Sequence, residues 1–231
     1  MNRNSLEIGL QLIQDLSSEQ KQKHKKFINF LNSCYYRSSA SVFKKVFAQA
    51  KSLARDLGKS VPKIVIEGPE IQLSPEGVSL ISDVFTHLIR NSMDHGLEPP
   101  ADRTSQGKPE RGELKVTVNP KDSEIILSYQ DDGKGLDLEK IKRLGIEKNM
   151  INADEKDPSH IADLIFSQGF STAQSLTEIS GRGVGMGAIQ SFAQQNGASL
   201  EIVLRSIKAN GHCQCQFDLL LPEKLCILAS E

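Results

Sequence analysis

The stretch HLIRNSMDHG, residues 87–96, is patterned like an amphipathic helix yet is dense in polar groups. His87, Asn91, and Asp94 or His95 recur at i, i+4 and i+7 or i+8, which aligns them along one helix face. Val78, Ile81, Phe85, Leu88 and Ser92 form an apolar stripe on the other side. Asn91 can present a side-chain carbonyl oxygen, a ligand suited to a hard cation such as Mg²⁺. A second set, DDGKG at 131–135, follows a strand-like run directly. Asp131 can accept a hydrogen bond from an exocyclic amine such as that of adenine, and Gly133 and Gly135 let backbone approach a planar ligand. A third set, GRGVGMGAI at 181–189, places Gly181, Gly183, Gly185 and Gly187 at a helix start, where backbone N–H groups and the helix dipole favour a phosphate. Its spacing is neither that of a P-loop nor, by context, that of a Rossmann fingerprint. Taken singly, each set also fits a plain role: a solvated helix face, a polar turn, a glycine run.

The elements that must position these residues follow from periodicity. Residues 4–33 read as a helix with a charged middle, broken by CYYRSSAS. A second helix is predicted from about Val42 to Leu57, with Gly58 as its stop signal. KIVIEG reads as a strand and IQL as a brief one. Ser74 as N-cap and Pro75 at the first helical position open the helix that carries the first polar set. Residues 97–112 are turn-rich. ELKVTVN and EIILSYQDDG read as strands of a hairpin joined by PKDS. Residues 136–180 give no regular reading. VGMGAIQSFAQQNG reads as a helix ending at Gly197, and ASLEIVLRS and HCQCQFDLLLP as closing strands. This order predicts an α+β two-layer sandwich, with a mixed, mostly antiparallel sheet, helices on one face, and an N-terminal helical extension.

Composition narrows the function classes. The chain has 231 residues, a formal net charge of −1, 38% hydrophobic and 25% charged residues. Near-zero charge gives no general reason to expect nucleic acid. No apolar run approaches the roughly 20 residues of a membrane span, and the N-terminus lacks the apolar core of a signal peptide. A cytoplasmic location is expected, and the segment could belong to a larger membrane-attached protein. Cys213 and Cys215 alternate along a strand and share one face. They and Cys34 and Cys226 read as core thiols, not as a disulfide framework or a zinc site.

Together and in this order, the three sets resemble the N, G1 and G2 boxes of the ATPase family shared by histidine kinases, gyrase, Hsp90 and MutL. LIFSQGFSTA, residues 164–173, resembles the F box of CheA-type histidine kinases. The resemblance covers about residues 41–222 and implies a Bergerat-type ATP-binding catalytic domain. Residues 1–40 are then a helical linker or partial dimerisation segment, and 223–231 a C-terminal tail. The resemblance implies ATP and Mg²⁺ as ligands. Asp131 would hold the adenine amino group, Gly133 and Gly135 would border the base, and Asn91 would ligate Mg²⁺, with Asp94 and His95 beside it. Gly181, Gly183, Val184, Gly185, Met186 and Gly187 would face the phosphates, and Phe170 and Ser171 the lid, within residues 136–180. His87 stands where the superfamily often carries glutamate. A neutral imidazole there suits phosphotransfer to histidine better than hydrolysis, so His87 and Asn91 are the expected catalytic residues. Two departures stand out: Gly187 where CheA-type sequences usually read GVGMD, and Gln168 where proline is common. The implied partners are a histidine phosphotransfer domain and a response regulator, with a homodimer left open. The other reading is an ATP-binding regulatory module that binds a protein partner without phosphotransfer.

Overall fold

Apolar residues two apart on the strands and three or four apart on the helices converge on one core. The structure is a computed structural model that describes residues 8–9, 12–13, 15–167, 169–170, 185–207 and 211–229. Helices α1 (Ser18–Lys23) and α2 (Lys25–Tyr35) lead to strand β1 (Arg37–Ser38) and helix α3 (Ser39–Asp56). Strands β2 (Lys63–Glu67) and β3 (Ile71–Leu73) precede helix α4 (Pro75–Asn91), which runs into a π-turn at Ser92–Gly96. Helix α5 (Pro100–Ser105), the hairpin β4 (Glu113–Lys121) and β5 (Glu124–Asp131), and β6 (Leu136–Asp137) follow. Then come α6 (Leu138–Glu147), α7 (Pro158–Asp163), a 3-10 turn at Leu164–Phe166, α8 (Met186–Gln195), β7 (Ser199–Ile207), β8 (His212–Pro222) and β9 (Cys226–Leu228).

The main sheet has the order β2-β4-β5-β8-β6, with β7 pairing the other edge of β8. Among the described strands of this sheet only β2 and β4 run parallel; every other pair is antiparallel. This is the expected mixed, mostly antiparallel sheet. Its register aligns Val118, Leu127, Leu219 and Leu200 in one row and Val116, Tyr129, Phe217 and Ile202 in the next. Those rows join Phe43, Phe47, Leu80, Ile81, Val84, Phe85 and Ile89 of α3 and α4 in the core. The Phe85 ring meets the Tyr129 ring edge-on at 5.7 Å, which fixes α4 across β5.

Several elements differ from the sequence reading. The helix expected over 4–33 restarts at Ser18, because Ser17 and Gln20 form a capping box. The turn-rich 97–112 segment holds α5, opened by Pro100 at its first position. Within 136–180, Asp137 caps α6 by accepting from the Lys140 N–H, and Asp157 caps α7 by accepting from Ser159. Residues 223–231, set apart as a tail, include β9, which pairs with β3 while β1 pairs with its other edge. The Ser74 N–H donates to the Leu225 carbonyl at 2.9 Å, so this small sheet anchors the start of α4.

Candidate functional site

Leu114 pairs with Asp131 at the end of the hairpin. Strand alternation puts Leu127, Tyr129 and Asp131 on one face, the face that α4 covers. A carboxylate pointing inward must find donors. Ser92 Oγ donates to Asp131 Oδ2 at 2.5 Å and the Gly133 N–H donates to Oδ1 at 3.0 Å. Ser92 in turn accepts from the buried Tyr129 hydroxyl at 2.8 Å. Burial pushes the Asp131 carboxyl above its usual range; the Ser92 and Gly133 hydrogen bonds oppose the rise, and the charges of Asp132 and Glu98 add to it.

Ser92 reaches Asp131 from the first residue of the π-turn, where the Leu97 N–H donates to the Ser92 carbonyl at 2.7 Å. That wider turn departs from the α spacing assumed for Asp94 and His95. His95 is exposed and Asp94 half-buried. The Lys59 ammonium closes the turn by donating to the carbonyls of Met93 and Leu97. Gly96 lies against the Asp131 carboxylate: a Cβ there would come within 3.1 Å of Oδ2. A Cβ on Gly133 would stand 2.3 Å from the Gly96 carbonyl oxygen, so only glycine permits this approach. Gly135, at φ +83°, packs instead against the Cys213 carbonyl of β8.

One residue before Ser92, Asn91 is exposed, and its Nδ2 donates to the Met186 thioether at 3.1 Å. This contact brings the end of α4 to the start of α8. His87, one turn earlier, is half-buried. Burial lowers its pKa, Arg90 lowers it further, and Asp83 partly offsets both, so the imidazole is neutral at neutral pH. Gly185 is the extended N-cap residue of α8, and its carbonyl accepts from the Ala188 N–H at 3.0 Å. The Met186 and Gly187 N–H groups, at the first two helical positions, have no carbonyl one turn earlier in the helix. Gly187 has a packing role: a Cβ there would sit 2.2 Å from the Phe166 carbonyl oxygen. Phe170 is buried under Lys148, whose ammonium is 5.6 Å from the ring centroid and donates to the Gly169 carbonyl at 2.7 Å. Ser171, Gly181, Gly183 and Val184 lie outside the described residues.

The family described as histidine kinase-, DNA gyrase B-, and HSP90-like ATPase matches residues 78–224, from the first turn of α4 past the end of β8. The chain belongs to this family. Among curated relatives, the sensor histidine kinase CheAY of Helicobacter pylori is 39% identical over 166 residues, covering 70% of this chain and 20% of that protein. The chemotaxis protein CheA of Klebsiella aerogenes is 36% identical over 186 residues, covering 79% and 28%. CheA of Bacillus subtilis is 33% identical over 192 residues, covering 82% and 28%. The likeness is therefore to the ATPase domain of CheA-type histidine kinases, and the chain spans less than a third of the length of these relatives.

The structure thus gathers Asp131, Gly133, Gly96, Asn91, Met186 and Gly185 where α4, β5 and α8 meet. Motif reasoning missed the hydroxyls of Tyr129 and Ser92. Ser92 falls on the apolar stripe of α4, and its burial beside an inward aspartate was the available signal. It also missed Lys59, because no sequence pattern foretells a lysine closing a π-turn 34 residues away.

Proposed function

We propose that this domain binds Mg²⁺-ATP and passes the γ-phosphate to a histidine on another domain or chain, as part of a CheA-like two-component kinase. The observation that supports this most is the Asp131 carboxylate, anchored by Ser92 and Gly133 at the inner end of β5 beside Asn91 and the start of α8. Each Asp131 oxygen keeps lone pairs for a further donor, and an adenine amino group supplies one. Gly96 and Gly133 place backbone rather than a side chain against that carboxylate, which suits a planar base.

The donor set also fits Mg²⁺. Among the described residues no group of three or more His, Cys, Asp or Glu side chains is placed to hold a metal. Mg²⁺ accepts one or two protein ligands together with waters and substrate phosphates, and Asn91 supplies a hard carbonyl oxygen in an exposed position. When bound, the ion neutralises charge developing on the transferring phosphoryl group. The protein's own contribution is orientation: Asp131 fixes the base, Gly185 and the first turn of α8 offer N–H groups to the phosphates, and His87 stays neutral beside them. A histidine acceptor brings its own lone pair, so no strong base is required at 87.

Calorimetry with ATP in Mg²⁺, followed by radiolabelled phosphotransfer to isolated histidine phosphotransfer domains, tests the proposal. Saturable binding and labelling of an acid-labile phosphohistidine are expected. Binding without transfer to any such domain would assign the chain to the regulatory class instead.

A further inference from the structure

Beside the site lies a charge cluster that the reading above does not use. The Arg103 guanidinium on α5 has only 1% of its side chain exposed. Its Nε donates to the Pro109 carbonyl at 2.7 Å, Nη1 to Glu98 at 3.2 Å and Nη2 to Asp132 Oδ2 at 2.7 Å. Lys108 Nζ donates to the other oxygen of Glu98 at 2.7 Å and to the carbonyls of Asp132 and Gly133, both at 2.9 Å. Gln214 of β8 gives the Gly133 carbonyl a second donor at 2.8 Å. Two cations face two carboxylates, so the cluster is neutral in itself, and its donors converge on the two residues after Asp131.

The connection to the nucleotide is direct. The Asp132–Gly133 peptide group is held from both ends: its N–H donates to Asp131 Oδ1 and its carbonyl, that of Asp132, accepts from Lys108, while the carbonyl of the next peptide, that of Gly133, is fixed by Lys108 and Gln214. Asp132 is fixed by its side chain as well, because Oδ1 accepts from the Glu113 N–H at 2.9 Å. Without the ammonium of Lys108, the Asp132–Gly133 peptide is freer to rotate, and one of the two donors that aim the Asp131 carboxylate is loosened. Resting on the nucleotide reading above, we propose that Lys108 and Arg103 are positioning residues for the adenine, acting through Gly133 and Asp132 on the carboxylate of Asp131.

The test compares ATP and ADP binding to the full chain, by calorimetry well below its melting temperature, for the wild type and for Lys108→Met, which keeps the stem and removes the donors. Both nucleotides should weaken by about tenfold and in the same ratio, since the defect lies at the base end. Lys63→Met, which breaks an exposed ion pair with Glu113, should leave both affinities unchanged. Should Lys108→Met fail to fold, Gln214→Leu removes the second donor to the same carbonyl and should show a smaller loss, again equal for ATP and ADP. Unchanged affinities, or a loss confined to ATP, would overturn the inference while the wild type still binds. Failure of the wild type to bind either nucleotide would overturn the nucleotide reading itself.

Discussion

Asp131 combines a buried carboxyl with two anchoring donors, Ser92 and the Gly133 N–H. Its carboxyl is held above the ordinary range chiefly by burial. A carboxyl whose folded pKa is raised contributes stability below its unfolded value, and that contribution is lost as pH rises through the folded pKa. The ionised form of this carboxyl therefore opposes folding. Asp131→Asn keeps the acceptor for the Gly133 N–H and removes the charge. ATP affinity should fall by about 1–3 kcal/mol, the range of a charge-assisted hydrogen bond, while the melting temperature of the nucleotide-free protein holds or rises. Calorimetry and thermal melts at neutral pH check the pair; a variant that binds ATP normally sinks the adenine role. The glycines separate in the same way. A Cβ at Gly185 has its nearest described neighbour at 4.0 Å, whereas one at Gly187 would stand 2.2 Å from the Phe166 carbonyl oxygen. Gly185→Ala should leave the apo melting curve alone and weaken nucleotide if the N-cap faces phosphate. Gly187→Ala should cost stability without any ligand, by about 1–3 kcal/mol for overpacking.

The element that shapes the site most is the π-turn at the end of α4. Five residues with a wider hydrogen-bond ring carry Ser92 onto Asp131 and bring the carbonyls of Met93 and Leu97 to Lys59. Burial lowers the lysine's pKa, the Lys134 charge adds to that, and Asp94 and Glu98 oppose it. Lys59→Met should cost about 1–3 kcal/mol, the penalty for stranding partly buried carbonyls, and ATP should restore part of the loss by binding only the ordered turn. Melts with and without nucleotide decide it, and a variant with wild-type stability excludes the cap. Much at this scale was legible in advance. Ser74–Pro75, the PKDS hairpin turn and the alternation of β4, β5 and β8 carry local signals strong enough to survive burial. The π-turn was not legible, because HLIRNSMDHG has ordinary α spacing and the wider turn arises from tertiary demand at Ser92 and Lys59. The same holds for Arg103 and Lys108: in a polar, turn-rich stretch nothing local distinguishes a buried guanidinium from a solvated one. The split of the N-terminal helix was written in Ser17 and Gln20, whose capping box is an i, i+3 pattern.

For the whole molecule, the decisive contact joins the last strand to the first turn of the helix bearing the N-box residues. β9 completes the β1-β3-β9 sheet, the Leu225 carbonyl accepts from the Ser74 N–H, and a Cβ at Gly77 would come 2.3 Å from that same oxygen. Leu225 is 3% exposed and Cys226 1%, and Ile71 and Leu73 beneath them are fully buried. A chain stopped after Pro222 loses this layer. Each large apolar side chain whose burial is removed costs about 1.5–3 kcal/mol, so the truncation should destabilise by roughly 3 kcal/mol or more. For a domain of this size, that lowers the melting temperature by roughly 6–12 °C. The effect reaches the site through α4, whose start is tied at Leu225 and whose end carries Asn91 and Ser92, so ATP binding should weaken as the helix start frays. Cys226 offers an internal reporter: burial foremost, with the Glu223 charge, pushes its thiol up to about 12, so it should resist alkylation at neutral pH while β9 is paired. Mass spectrometry locating label on Cys226 in parallel with loss of the melting transition would tie strand, helix and site into one cooperative unit. A truncated chain that melts and binds ATP like the full one would make β9 an appendage, and the site would then depend only on the main sheet and its helices.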